Sequence, residues 1–163
     1  MKTLATIAFA AAAILGLSAT SSEAGFSPIS LFTGFQQQQK AAISAKVSIS
    51  EQKMYLDVTD ASGLTKTYVW KVSTGKTGYA TPTGAFQPTW LDADHRSKTY
   101  DDAPMPYAVF FSGGYAVHAT DAVARLGKPA SHGCVRLAPQ NAAAFFQMVN
   151  AAGKRNTSIV IVD

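Results

Sequence analysis

Apolar and polar residues alternate with a period of two along much of this chain. Residues 54–58 place Met, Leu and Val on one face, and residues 68–72 repeat the pattern with Tyr, Trp and Val. Such alternation is typical of half-buried strands. The intervening Asp60-Ala61-Ser62-Gly63 consists of turn-forming residues, so the two segments predict a hairpin.

A second hairpin and a closing strand are predicted further along. Gly113-Gly114 separates two β-rich runs, 108–112 and 115–118, and paired glycines supply the positive φ values that a tight turn needs. Residues 159–162 form a continuous apolar run, which indicates a buried strand.

One segment favours a helix. Pro139 suits a first helical turn, Gly153 suits a terminator, and Phe145 and Val149 lie on one stripe between them. The connection after His118 has room for a second short helix. Since strands dominate, we expect a mainly β domain with one or two short helices.

Three segments have no periodic pattern of apolar residues. Residues 25–45 include a run of four glutamines and are predicted to form a flexible lead-in. Residues 81–84, Thr-Pro-Thr-Gly, are expected to turn. Residues 91–106 are rich in Asp and are predicted to form one long loop, either a cover over the active site or a solvated excursion, with His95 on the surface.

The N-terminus is typical of a secretory signal peptide. Lys2 precedes an apolar, alanine-rich stretch, and a small-residue pattern ends at Ala24. We expect cleavage after Ala24, with Ala19 as the other candidate, and export across the inner membrane to the periplasm or cell wall. Removing residues 1–24 leaves enough chain for one domain.

Charge and cysteine content narrow the choice of function. The net charge of +4 suits anionic wall polymers, and because no Lys/Arg cluster occurs, nucleic acid is not an expected partner. The chain has one cysteine, which cannot form an internal disulfide. In an exported domain a free thiol is therefore expected to serve chemistry, the alternative being an inert buried cysteine.

The cysteine lies in the most informative motif, Ser131-His132-Gly133-Cys134, with His118 sixteen residues before it. A thiol is mostly protonated near neutral pH, so a nucleophilic cysteine needs an imidazole to accept its proton. We predict Cys134 as nucleophile and His118 as general base. Gly133 allows a tight turn that can direct N–H groups to an oxyanion.

These residues carry a family resemblance. The run HATDAVARLGKPASHGCVRL resembles the active-site signature of L,D-transpeptidases of the YkuD type. VSTGKTGYATPTGAF and MPYAVFFSGGYAVHA are similar to the preceding segments of that family, so the resemblance covers roughly residues 46–163. Many members have Asn two positions after the cysteine, where this chain has Arg136.

The resemblance implies a mixed-sheet β-sandwich whose cysteine forms a thioester with a peptidoglycan stem peptide. The acceptor stays open: an amine of another stem, an amine of an envelope protein, or water, which would make the enzyme a carboxypeptidase or hydrolase. The family also implies that the backbone carbonyl of Ala119 orients His118, and that carbapenems acylate the nucleophile. We expect a monomer without cofactor or metal.

The remaining site residues have alternatives. Ser131 is expected to brace the turn, and His132 is expected to support the site rather than react. Arg136 is expected either to bind a substrate carboxylate or to form an ion pair with Asp121 or another acid.

Two other classes of protein are weighed against this enzyme. His118, His132 and Cys134 could be three ligands of a zinc hydrolase. A noncatalytic wall-binding module is the other alternative, although a binder has no need of a lone thiol beside two histidines.

Overall fold

The protein is described by a computed structural model that covers residues 40–163. The predicted signal peptide and most of the lead-in lie outside these described residues. The elements, in chain order, are β1 Ala42–Ser48, β2 Lys53–Thr59, β3 Thr65–Lys71, β4 Gly84–Phe86, β5 Trp90–Arg96, β6 Pro104–Ser112, β7 Tyr115–Ala119, β8 Val135–Leu137, α1 Pro139–Ala152 and β9 Thr157–Val162. Because β1 begins at Ala42, the lead-in boundary at residue 45 was placed too late.

The strands form two mixed sheets. The first has the order β3-β2-β1-β9-β4, in which only β1 and β9 are parallel. The second has the order β5-β6-β7-β8, in which only β7 and β8 are parallel. The predicted hairpins are confirmed as β2–β3 and β6–β7, and the closing strand is β9.

A single apolar core joins the two sheets and α1. Its members share complete or nearly complete burial and include Val47, Leu56, Val109, Val117, Val135, Leu137, Phe145 and Ile159. The helix contributes Ala142, Phe145, Val149 and Ala152, whose spacing of three and four residues places them on one face. The predicted start at Pro139 and end at Gly153 are confirmed, since Gly153 caps the helix with φ +89°.

Two local predictions were wrong. Residues 91–106 are not one loop, because β5 and β6 occupy most of them and only 97–103 connects the two strands. β5 is an edge strand with an exposed side, which is why its aspartates are tolerated there. Residues 81–83 are not a turn; the turn lies just before them, where the N–H of Tyr79 donates to the Lys76 carbonyl at 2.8 Å.

The connection after His118 contains no α-helix. It has one short 3₁₀ turn, Val123–Arg125, and a second such turn, Lys154–Asn156, precedes β9. Within residues 40–163, no helix is both long and apolar enough to cross a membrane.

The outer face of the four-stranded sheet carries a second, smaller apolar cluster. Met105, Ala108, Phe110 and Ala116 are buried there, and Cys134 packs against them. Val109 and Val117, which alternate with these residues along β6 and β7, face the main core instead. The sheet therefore separates the main core from the face on which the cysteine lies.

We predict that Phe145→Ala lowers the free energy of unfolding by about 3–5 kcal/mol, because it removes a fully buried ring from the junction of helix and sheets. Phe146→Ala is the matched control: its ring is only half-buried, so the loss should be clearly smaller. Urea unfolding at neutral pH measures both. Equal losses would show that Phe145 is not the central contact of the core.

Candidate active site

His118 lies near the end of β7 with only 4% of its surface exposed. Its Nδ1 lies 2.7 Å from the carbonyl oxygen of Ala119. A carbonyl can only accept, so Nδ1 carries the proton and Nε2 is left as the acceptor. The main chain of β7 thus sets the tautomer that a general base requires.

Burial determines the ionisation of His118. The pKa of this imidazole is lowered to about 4, chiefly because the buried site disfavours the charged form. The hydrogen bond to Ala119 opposes the shift, and the positive charge of Arg136 adds to it. His118 is therefore a neutral base over the whole physiological range.

Cys134 lies beside His118 because β7 and β8 run parallel. His118 pairs with Arg136 in that register, so Cys134, two residues earlier, follows on the same face. His118 and Cys134 line one cleft, and the thiol lies 3.9 Å from the Gly114 carbonyl.

The thiol is protonated at rest. Burial raises the pKa of Cys134, and this outweighs the lowering by the Ala116 N–H and by the charge of Arg136. A high thiol pKa beside a low imidazole pKa disfavours a preformed thiolate–imidazolium pair. The geometry instead fits proton transfer to His118 as the sulfur attacks.

The turn before the cysteine is held by Ser131. This buried hydroxyl donates to the Cys134 carbonyl at 2.6 Å and accepts from the Gly133 N–H at 3.0 Å. Gly133 has φ +109°, and a Cβ there would overlap the Tyr115 ring. The hydroxyl of Ser131 thus links two residues of the turn, and the Gly133 N–H is already used within it.

The start of the family-like segment VSTGKTGYATPTGAF clamps this turn. Residues 72–76 run beside β8: Ser73 and Arg136 exchange backbone hydrogen bonds of 3.0 and 2.9 Å. The N–H of Ser131 donates to the Thr74 carbonyl at 2.9 Å, and the N–H of Lys76 donates to the Ser131 carbonyl at 3.0 Å. Buried Gln52 accepts from the Thr74 N–H at 2.9 Å, which ties this segment to the β1–β2 turn.

His132 lies between two tyrosines. The Tyr100 ring stacks on it at 4.6 Å and 20°, and the Tyr79 ring meets it edge-on at 4.5 Å and 88°. Burial and the charges of Lys76 and Arg136 lower the pKa of His132. His132 therefore connects the nucleophile turn to the loop 97–103.

Arg136 is half-buried and forms no ion pair among the described residues. Its Nη1 donates to the Ala130 carbonyl at 3.3 Å, and the alternative partner Asp121 is not bonded to it. Burial lowers the pKa of Arg136, while Cys134 raises it. The guanidinium thus retains donors that face the cleft.

The cleft has a volume of about 510 Å³. His118, Ala119, His132, Cys134 and Arg136 line it, together with Asp121 and with residues of the loop 97–103 that include Tyr100 and Asp101. Ser131 and Gly133 lie behind it as supports. Tyr79 and Tyr100 were not predicted as site residues, because their ring contacts with His132 depend on loops distant in the chain.

The geometry does not fit a zinc site. Among residues 40–163, no three His, Cys, Asp or Glu side chains converge as a set of metal ligands. His118 has its Nδ1 bonded to Ala119, and His132 is held between the two tyrosines. The zinc hydrolase alternative therefore has no donor set here.

His95 was predicted to be a solvated residue, and this prediction was wrong. Its side chain is only 16% exposed, and its Nδ1 lies 2.9 Å from Asp92 Oδ2. The ring packs against Trp90 and Phe110.

Comparison with known proteins identifies the class. The family model of the L,D-transpeptidase catalytic domain, YkuD, matches residues 43–162. Because that match spans most of the chain, the protein belongs to the L,D-transpeptidase catalytic domain family. No curated protein matches the chain at a significant level.

Solved structures share the fold. An L,D-transpeptidase from Stackebrandtia nassauensis is 27% identical, with a TM-score of 0.61 over 80% of this chain and 61% of that one. One from Mycobacterium smegmatis is 24% identical, with a TM-score of 0.63 over 76% and 59%. The LD transpeptidase LdtMt1, solved in complex with imipenem, is 25% identical, with a TM-score of 0.62 over 75% and 59%. This chain spans about three fifths of the length of these structures.

We predict that protonation of His118 makes the protein sensitive to acid. The imidazole has a pKa of about 4 in the folded state and about 6.5 when unfolded, so between these values the unfolded chain binds the extra proton. Stability therefore falls as the pH drops from about 6.5 to about 4, by roughly 2–3 kcal/mol for this group.

Urea unfolding at pH 7.5 and 4.5 measures this difference. His118→Gln should lose less stability between the two pH values than the wild type, because glutamine does not titrate, while His132→Gln should retain most of the wild-type sensitivity. An equal acid loss in His118→Gln and the wild type would contradict the burial argument.

Proposed function

We propose that this protein is an exported, cysteine-dependent L,D-transpeptidase that acts on peptidoglycan stem peptides. The observation that carries the proposal is the pairing in one cleft of a thiol with a neutral, main-chain-oriented imidazole. Family membership supplies the reaction class. Export rests on the signal-peptide pattern of residues 1–24.

Acylation uses both residues. Cys134 Sγ attacks the carbonyl carbon of the scissile L,D bond as its proton passes to His118 Nε2. The tetrahedral intermediate then expels the amine, which takes the proton from His118 and leaves a thioester on Cys134. Since the Gly133 N–H is used by Ser131, we assign the oxyanion contact to the N–H of Cys134, the next along the chain.

Deacylation reverses the proton path. His118 accepts a proton from the incoming amine, the amine nitrogen attacks the thioester, and the thiol leaves with the proton returned by His118. An amine of a second stem yields a cross-link, and an amine of an envelope protein yields attachment to the wall. Water in the same position yields hydrolysis.

Arg136 is the substrate-binding residue in this proposal. Among the described residues no carboxylate neutralises it, and it lines the cleft beside Cys134. A carboxylate of the stem would complete a charge-assisted pair. The same charge stabilises negative charge that develops near the sulfur.

We predict that imipenem acylates Cys134, because a thiol beside a neutral base opens a strained lactam ring, as the imipenem complex of LdtMt1 suggests by similarity. Intact-mass spectrometry should show one adduct on the wild type and none on Cys134→Ala. Turnover of a stem peptide should also be lost in Cys134→Ala, while circular dichroism remains native.

The matched control is Ser73→Ala, which removes a hydroxyl that donates to the Lys128 carbonyl and leaves the thiol in place. It should still form the adduct. Full turnover by Cys134→Ala would eliminate the thiol mechanism.

A further inference from the structure

An aromatic cluster on the outer face of the four-stranded sheet has no part in the proposed chemistry. The Trp90 and Phe110 rings stack with centroids 4.0 Å apart and planes 3° apart, and the His95 ring meets their edges at 5.2 and 4.9 Å. Phe110 is 2% exposed, whereas Trp90 is 42% exposed. We call these three residues the aromatic shelf.

The shelf is packed on one side and open to solvent on the other. Phe110 covers one face of the Trp90 indole and His95 covers an edge, so the remaining indole surface is in contact with solvent. The exposed part of Trp90 lies on an edge strand, while its other face packs on Phe110. It offers a flat surface that is already ordered before any ligand binds.

A carboxylate flanks the shelf. Asp92 Oδ2 bonds to His95 Nδ1 at 2.9 Å, and Asp92 Oδ1 accepts the Asp94 N–H at 3.1 Å. Each oxygen retains capacity for a further donor, and the Asp92 side chain is 36% exposed. An exposed indole therefore lies beside an oriented hydrogen-bond acceptor.

Strand register places the shelf on a line with the nucleophile. Trp90 pairs with Phe110, and Phe110 pairs with Ala116. The parallel β7–β8 register, continued by one residue, brings Cys134 opposite Ala116. Three strand spacings separate Trp90 from Cys134, which is about 14 Å between Cα atoms. An extended peptide of three residues spans about 10 Å. A stem of that length with its scissile bond at Cys134 therefore extends most of the way to the shelf.

We propose that the aromatic shelf binds a saccharide ring of the glycan strand that carries the stem peptide. The inference rests on the proposed function, since it places the sugar a short stem away from Cys134. The C–H groups on one side of a pyranose carry a slight positive charge and pack against the negative face of an indole. Sugar hydroxyls then donate to the free lone pairs of Asp92.

The shape of the shelf favours a sugar ring over a small ammonium ion. Both Asp92 oxygens already accept hydrogen bonds, one of them from His95, and these bonds fix the directions of the remaining lone pairs. A pyranose covers more of the exposed indole face than a methylammonium ion does, and its hydroxyl groups can donate to those lone pairs at the same time.

Binding of a peptide-free sugar tests the shelf. The probe is the soluble tetrasaccharide of N-acetylglucosamine. The chain has two tryptophans, so in Trp70→Phe the fluorescence reports Trp90 alone. We expect a saturable change in that variant. By calorimetry, Trp90→Ala should bind about tenfold more weakly than the wild type, Asp92→Asn should also bind more weakly, and Trp70→Phe should match the wild type.

Three outcomes would overturn the proposal. They are no saturable response of Trp90 in Trp70→Phe, unchanged affinity in Trp90→Ala, or saturation of Trp90 by methylammonium at lower concentration than by the tetrasaccharide. The first outcome needs no variant at the shelf, so it stands even if Trp90→Ala fails to fold.

Turnover separates this inference from the proposed function. Trp90→Ala should raise KM for a donor that bears a disaccharide and leave KM for the sugar-free stem peptide unchanged. An equal rise for both donors would contradict a sugar site. If the wild type turns over neither donor, the proposed function fails, while the saccharide titration still decides whether the shelf binds sugar.

Discussion

The hydrogen bond from His118 Nδ1 to the Ala119 carbonyl is the interaction on which the site depends. It links the side chain to the adjacent peptide of its own strand, so the imidazole cannot rotate without breaking a buried bond. Among residues 40–163 no acidic side chain bonds to His118, and burial keeps the ring neutral with a pKa of about 4. The chemistry assigned to His118 follows from this: Nε2 carries no proton at rest and can accept one.

The nucleophile is positioned by main-chain bonds of the same kind. Ser131 closes the turn before Cys134, and the segment 72–76 fixes that turn from the other side. Gly75 shows how closely these parts approach, because a Cβ there would overlap the Tyr79 carbonyl. Precision at the thiol therefore comes from backbone geometry.

The two central site residues and the helix could be predicted from the sequence. Cys134 and His118 were found because a lone thiol and its motif are local signals, and α1 because Pro139, Gly153 and the apolar stripe agree. The structure places both site residues in one cleft, while their catalytic roles stay predictions.

Other features had no local signal. The edge strand β5 was taken for loop because its aspartates lie on an exposed side. The contacts of His132 with Tyr79 and Tyr100 unite three separate segments, and the bond between Gln52 and Thr74 joins residues far apart in the chain. Such contacts depend on the assembled sheets and carry no periodicity.

The dependence of kcat/KM on pH, measured with a stem peptide, tests the role of His118 most directly, since this ratio reports the ionisation of the free enzyme. We expect the acid limb of the wild type near pH 4, well below that of an ordinary histidine. His132→Gln should keep that limb. His118→Gln should lose most activity and regain part of it only above the ordinary thiol pKa, where hydroxide forms the thiolate, because burial raises the pKa of Cys134. Alkaline recovery in His132→Gln instead, with an unchanged profile in His118→Gln, would contradict the account.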